Sequence, residues 1–370
     1  MILEAQQRDL ERLEAIGRLR SLTPERGIDF ASNDYLGLAA SGLLVSAARA
    51  ALDRGVAVGS GGSRLLRGNR AEHEALEAEA AAFFGSESAL FFATGYAANS
   101  ALLATLPQRG DVILADELVH ASMHEGLRLT RAEHRLLPHN DLEAMEAALR
   151  DCGGQAWIAV ESLYSMDGDF APLAELAALA ERRGAILLVD EAHSTGVFGP
   201  AGRGLVAGLP SRENVISLHT CGKALGAEGA LLCAPAIACD FLVNRGRPFI
   251  FSTAPSPLMA WLVRQAIEIV ANEPERQARL HALVRHAAER LVPLGIPASG
   301  TQILPVIIGD NDRTMRIAGS LRDAGFDVRG IRPPTVAQGT ARLRIAITLN
   351  VDEANIDAMT DALASAMAAA

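Results

Sequence analysis

The sequence predicts an α/β fold, with a mainly parallel sheet in a large lobe and a smaller α/β lobe at the C-terminal end. Three observations lead there. Short apolar runs of strand length alternate with longer stretches of helical periodicity, the pattern of strand–helix–strand units. The chain has 370 residues, 49% of them hydrophobic, which suffices for a large buried core and more than one lobe. After Pro255 a long helical stretch leads away to a second set of short strands.

The strand candidates of the large lobe are SALFFAT (88–94), DVILAD (111–116), AWIAVES (156–162), AILLVD (185–190), VISLHT (215–220) and GALLCAP (229–235). Helical periodicity fills the intervals, as in AEHEALEAEAAAFFG (71–85) and PLAELAALAERRG (172–184). The second of these closes on Arg182, Arg183 and Gly184, the cations and glycine expected at a helix C-terminus. One helical stretch, 258–291, leads to the later strands QILPVIIG (302–309), DVRGIRP (327–333) and RLRIAIT (342–348), and the Ala-rich tail after Ile356 predicts a last helix. These elements place an N-terminal segment at 1–45 packing with the small lobe, a large lobe at 46–272 and a small C-terminal lobe at 273–370. No internal repeat or low-complexity linker interrupts them.

Composition narrows the partners. A formal net charge of -10 and a pI near 5.4 argue against nucleic acid or an anionic membrane as a general partner. With aromatics at only 4%, the core must be built from Ala, Leu, Val and Ile. The opening MILEAQQRDLERLEAIGRLR has no apolar run after a basic stretch and is not a signal peptide. The best membrane candidate, 229–243, is short and holds Pro235 and Asp240. Cys152, Cys221, Cys233 and Cys239 form neither a CxxC pair nor a cluster with histidine, so no metal site or disulfide framework is expected. These features predict a soluble, cytoplasmic protein.

Of 34 basic residues, Lys223 is the only lysine. Arginine holds its proton and forms no imine with an aldehyde, whereas a desolvated lysine amine does. Lys223 sits in His219-Thr220-Cys221-Gly222-Lys223-Ala224-Leu225-Gly226, just past a strand and between small residues, with the Thr220 hydroxyl on offer to a phosphate. The segment is no Walker A loop, because Ala224 stands where Ser or Thr is needed. Asp190 ends the strand AILLVD and opens Asp190-Glu191-Ala192-His193. A carboxylate there can cap a helix, or it can pair with a pyridinium nitrogen and make the ring an electron sink. The 33-residue step from Asp190 to Lys223 fits one strand–helix–strand step between neighbouring sheet positions. The run Ala93-Thr94-Gly95-Tyr96-Ala97-Ala98-Asn99 follows a strand and opens a helix, whose first N–H groups suit a phosphate. His120 follows another strand, and the cluster Gly59-Ser60-Gly61-Gly62-Ser63 lacks the third glycine of a dinucleotide site.

In combination and order, these motifs resemble those of the α-oxoamine synthases, fold-type-I pyridoxal-phosphate (PLP) enzymes. Those enzymes condense an amino acid with an acyl thioester and release CO2. The likeness extends over nearly the whole chain, from Ser32-Asn33-Asp34-Tyr35-Leu36-Gly37 through Ser165-Met166-Asp167-Gly168-Asp169 and Arg247–Thr253 to Arg332-Pro-Pro-Thr335-Val336. It implies that Lys223 carries the cofactor as a Schiff base and Asp190 pairs with the ring nitrogen. His120 would stack on the ring, and His193 and Ser165 would address its phenolic oxygen. Gly95, Tyr96 and Thr220 would hold the phosphate, with Thr253 reaching it from the partner of a homodimer. Asn33, His120, Glu161, Arg332 and Thr335 would meet the substrate. The N-terminal substrate arginine of the family falls on Arg18, with Arg20 as the alternative, because the segment before Asn33 is shorter than in relatives. Arg67 stands where relatives often carry a small residue.

Within the family, Ser165–Leu173 and Arg332–Arg344 are most similar to the branch of biotin synthesis that joins L-alanine to a pimeloyl thioester, on CoA or a carrier protein. The other branches use glycine with acetyl- or succinyl-CoA, or serine with a fatty acyl-CoA. Lys223 disfavours a silent partner subunit, and the missing glycine pattern disfavours a nicotinamide-dependent dehydrogenase.

Overall fold

A computed structural model describes residues 2–22, 24–210 and 213–370. Its strands are β1 (Ile28–Asp29), β2 (Ser88–Phe92), β3 (Val112–Asp116), β4 (Glu133–Leu137), β5 (Ala156–Glu161), β6 (Ile186–Asp190), β7 (Val215–Thr220), β8 (Ala230–Ala234), β9 (Ile303–Gly309), β10 (Phe326–Asp327), β11 (Arg329–Ile331) and β12 (Ala341–Ala346). Packing divides the chain into two units. The larger holds 33–165 and 169–281, and the smaller holds the residues up to Ser32, 166–168 and 282–370.

The larger unit is built on a seven-stranded sheet in the order β2-β8-β7-β6-β5-β3-β4, in which β8 alone runs against the rest. The mainly parallel sheet expected from the sequence is therefore present. Every residue of β3 and β5 is buried, because both faces of the sheet are covered. Side chains alternate between two cores: Ile113, Ala115, Trp157 and Leu188 point into one, and Val112, Leu114, Ile158 and Leu187 into the other.

Three elements depart from the sequence expectation. β4, Glu-His-Arg-Leu-Leu, is an edge strand with one sheet neighbour and reads as polar, so no apolar run announced it. The β6–β7 connection carries, among its described residues, only short 3-10 turns at Pro200–Gly202 and Val206–Gly208 in place of an α-helix. Its glycines explain this: Gly196, Gly199, Gly202 and Gly204 all take positive φ. The stretch 258–291 is two helices, Pro257–Asn272 and Pro274–Leu291, broken where Pro274 cannot donate to the helix before it. The aromatic run 249–251 also splits: Phe249 packs edge-on to Phe92 in the core, and Phe251 is 71% exposed.

In the smaller unit β9, β12 and β11 form an antiparallel sheet, and β1 pairs in parallel with β10. The backbone of Ala346 donates to Phe30 O at 2.9 Å.

Candidate active site

Four parallel strands of the larger unit end on polar residues: Asp116 on β3, Glu161 on β5, Asp190 on β6 and Thr220 on β7. The carboxyl ends of such strands are where open α/β sheets bind ligands. Glu161 and Asp190 stand directly opposite each other in the β5–β6 register. Lys223 follows Thr220 in a tight turn closed by Gly226 N donating to Lys223 O at 2.9 Å. Only glycine fits at 226, where φ is +62° and a Cβ would lie 2.5 Å from Ala39 N.

The Lys223 amine lies 2.7 Å from His193 Nε2. On the other side of that ring, Nδ1 is 2.6 Å from the Tyr35 hydroxyl, which donates to Asn33 Oδ1 at 2.9 Å. With the tyrosine proton directed to Asn33, its oxygen accepts from Nδ1–H, and Nε2 is left to accept from the lysine.

Asp190 is 4% exposed, and both its oxygens hold donors: Ala192 N on Oδ1 at 2.9 Å and Asn99 Nδ2 on Oδ2 at 2.7 Å. Asn99 also donates to Ser122 Oγ at 3.0 Å, and Ser122 Oγ is 2.8 Å from His120 Nδ1. His120 is exposed, yet desolvation of its ring lowers its pKa below the ordinary histidine value; Asp190 opposes the shift, and Lys223 and His124 add to it. Glu161 is 2% exposed, and its Oε1 has no hydrogen-bond partner. Burial pushes its pKa well up, and the Asp190 charge adds to this; Lys223 and the Ser165 N–H pull the other way. Lys223, Asp190, His120 and Glu161 thus share one electrostatic neighbourhood.

The Thr94 run opens the helix Gly95–Thr105, with the Thr94 hydroxyl capping Ala97 N at 3.0 Å. A Cβ on Gly95 would lie 3.6 Å from Thr220 Oγ1, so the helix start and that hydroxyl sit side by side. Tyr96 is half exposed. Thr253 is exposed, in a stretch fastened to the glycine cluster by Ala254 N to Gly62 O at 2.9 Å and Ser60 Oγ to Pro255 O at 2.5 Å. Arg67 is exposed in the adjoining Arg64–Gly68 turn.

The remaining sequence candidates belong to the smaller unit. There Arg18, Arg20, Arg332 and Thr335 line a cleft of about 660 Å³ with Leu10 and Leu13. Arg20 Nη2 donates to Thr335 Oγ1 at 3.2 Å, and Arg332 donates to the Gly17 carbonyl. The Nε of Arg18 is buried without a partner. Both alternative arginines therefore line the same cleft.

Sequence reasoning passed over Tyr35, Asn99 and Ser122, although the first two lie inside motifs it singled out. Nothing in the chain order marked Tyr35 and Asn99, whose partners His193 and Asp190 lie 158 and 91 residues away, and Ser122, two residues from His120, is tied to Asp190 only through Asn99.

A family model for class I and II aminotransferases matches residues 25–363. The chain is 44% identical over 342 residues to the 8-amino-7-oxononanoate synthase of Chromobacterium violaceum, covering 90% of this chain and 88% of that protein. It is 41% identical over 376 residues to the protein of the same name from Anaeromyxobacter dehalogenans, covering 97% and 94%. Among solved structures, it is similar to that of the serine palmitoyltransferase SPT with PLP at a TM-score of 0.91 and 26% identity, covering 99% and 97% of the two chains.

Proposed function

The chain belongs to the class I and II aminotransferase family, and we propose that it is a PLP-dependent acyltransferase that condenses L-alanine with a pimeloyl thioester. The products are 8-amino-7-oxononanoate, CO2 and free thiol, a step of biotin biosynthesis, with CoA or a carrier protein as the thiol. The observation that carries this reading is the sole lysine, held 2.7 Å from His193 in the same electrostatic neighbourhood as Asp190.

The residues fit PLP. Gly95 and Tyr96 at a helix start, beside the Thr220 hydroxyl, suit its phosphate. Asp190, already held by two N–H donors, suits a protonated ring nitrogen. His120 suits one face of the ring, and His193 with Ser165 suits its phenolic oxygen. When bound, PLP supplies an aldehyde that captures an amine and a ring that accepts the electron pair of the substrate α-carbon.

The protein's own groups do the rest. Lys223 would hold the cofactor through its amine, and the same amine would take the proton from the alanine α-carbon and later return one. His193, pinned by Tyr35, keeps that amine in place. Asp190 would keep the ring nitrogen protonated, and Glu161 and Asn33 would meet the substrate. In the smaller unit, a cleft lined by leucines and by Arg18, Arg20 and Arg332 suits an acyl chain that ends in a carboxylate.

The working unit is proposed to be a cytoplasmic homodimer in which Thr253 serves the partner's phosphate. Its support is the exposure of Phe251 and Leu66, at 71% and 85%. Among the described residues no helix is long and apolar enough to cross a membrane.

The test is product formation from pimeloyl-CoA with alanine, glycine or serine in turn. Alanine is expected to support turnover and the others little. A preference for serine with a long-chain acyl-CoA, or for glycine with a short one, would move the protein to another branch of the family.

A further inference from the structure

We infer that Asn99 and Ser122 form a one-way hydrogen-bond relay that holds His120 as the neutral imidazole with its proton on Nε2, which makes both of them positioning residues for the active site. The role in catalysis rests on the reading given above; the relay itself rests on geometry.

The Asn99 amide nitrogen has two hydrogens, and both are engaged, by Asp190 Oδ2 at 2.7 Å and Ser122 Oγ at 3.0 Å. The flipped amide would set Oδ1 against the Asp190 carboxylate. Asn99 Oδ1 instead stays buried without a partner, a cost the fold accepts to keep the amine on the carboxylate. Because Ser122 Oγ accepts from Asn99, its own proton is free for His120 Nδ1 at 2.8 Å. The Ser122 backbone N–H donates to the same nitrogen at 3.2 Å. With two donors directed at Nδ1, the imidazole proton belongs on Nε2.

The groups around His120 agree with a neutral ring. Desolvation of the ring opposes a charge there, as do Lys223 and His124, and Asp190 favours one. Close helix packing brings the relay within reach. A Cβ on Gly126 would lie 2.7 Å from Leu103 Cβ and 3.1 Å from Asn99 O, so glycine lets Ala121–Leu129 approach Gly95–Thr105. The consequence is chemical. A cationic imidazole over a protonated pyridine ring would repel it, whereas a neutral one stacks and still offers Nε2–H to an anionic substrate group.

The experiment uses the full-length protein as purified, labelled with nitrogen-15 at histidine. Ring nitrogen–proton correlations are followed from about pH 5.5 to 8.5, with the His120 signals assigned by their loss in His120→Asn. The expected result is a neutral ring at about pH 7 and above, and the Nε2–H tautomer wherever the ring is neutral. Asn99→Asp replaces the donor by an acceptor that captures the Ser122 proton. In that variant the tautomers should mix and the His120 midpoint should rise by about one pH unit or more. Ser122→Ala should mix the tautomers, and Ser122→Thr should restore the wild-type spectrum. A wild-type His120 protonated on Nδ1, or cationic at neutral pH, would overturn the relay, as would an unchanged spectrum in a folded Asn99→Asp. If that variant does not fold, the wild-type tautomer decides. A different substrate preference would refute the proposed reaction and leave these spectra unaltered.

Discussion

An arginine at position 223 would keep the positive charge and lose the chemistry, since a guanidinium forms no imine. Lys223→Arg should therefore lack the imine absorbance band and be inactive, whereas wild type is expected to show that band and be yellow. Borohydride reduction should then fix the cofactor on one peptide only, because the chain offers no second lysine. Peptide mapping by mass spectrometry reads this directly, and label on any peptide without Lys223 would remove the proposed role. The surroundings favour the reactive amine: Lys223 is half-buried, and His193 Nε2 accepts from it at 2.7 Å.

At the scale of elements, the carboxyl end of β3 is tied to the segment after β5 by His139. Its Nδ1 lies 3.0 Å from both oxygens of Asp116, and its Nε2 lies 2.8 Å from Asp169 Oδ2. Asn140 donates to Asp169 as well, at 2.9 Å. Burial works against the His139 charge, yet hydrogen bonds to Asp116 and Asp169 raise its pKa to about 10. The clamp fastens one end of the Ser165–Asp169 motif, and Tyr164 N donating to Asp169 O at 2.9 Å closes that turn. Because the folded value lies above the unfolded one, the clamp's contribution is fully present below about pH 6.5 and is lost as pH rises towards 10. Chemical denaturation across that window should show wild type losing a few kcal/mol, discounted for partial exposure (~2–4 kcal/mol). His139→Gln should be less stable at neutral pH and show a much flatter profile. Equal slopes in the two proteins would show that the pair of carboxylates does not hold a charged imidazole.

For the whole molecule, the proposed homodimer makes a quantitative demand. Lys223→Ala and a damaging Thr253 substitution should each be inactive alone. If Thr253 serves the partner's site, mixed dimers carry one doubly damaged site and one intact site, and activity should return to about a quarter of wild type on random mixing. Co-purification of an untagged variant with a tagged one first establishes that subunits have exchanged; no recovery after exchange would place Thr253 in its own chain's site. The exposed surface around this stretch contains Phe251, Leu66 and Leu65, at 71%, 85% and 51% exposure. Apolar side chains so open to water are the ones expected to be covered on association.

What the sequence by itself determined was the set of elements whose burial is complete, and it singled out as candidates the residues whose chemistry has no substitute. The buried strands β3, β5, β6, β7 and β8 were legible because strands covered on both faces read as unbroken apolar runs. The edge strand β4 was not, since an edge tolerates Glu133, His134 and Arg135. Lys223 and Asp190 stood out as candidates because an amine that can form an imine is unique in this chain and a carboxylate ending an apolar strand is costly without purpose. Only the tertiary structure shows what Asn99, Ser122 and Tyr35 touch. An amide or hydroxyl has no fixed role until its partner is known, and for Asn99 and Tyr35 the partners lie far along the chain: Asn99 and Asp190 are 91 residues apart, Tyr35 and His193 are 158. Hydrogen-bond direction is a property of a three-dimensional network, and no one-dimensional pattern of residue types carries it.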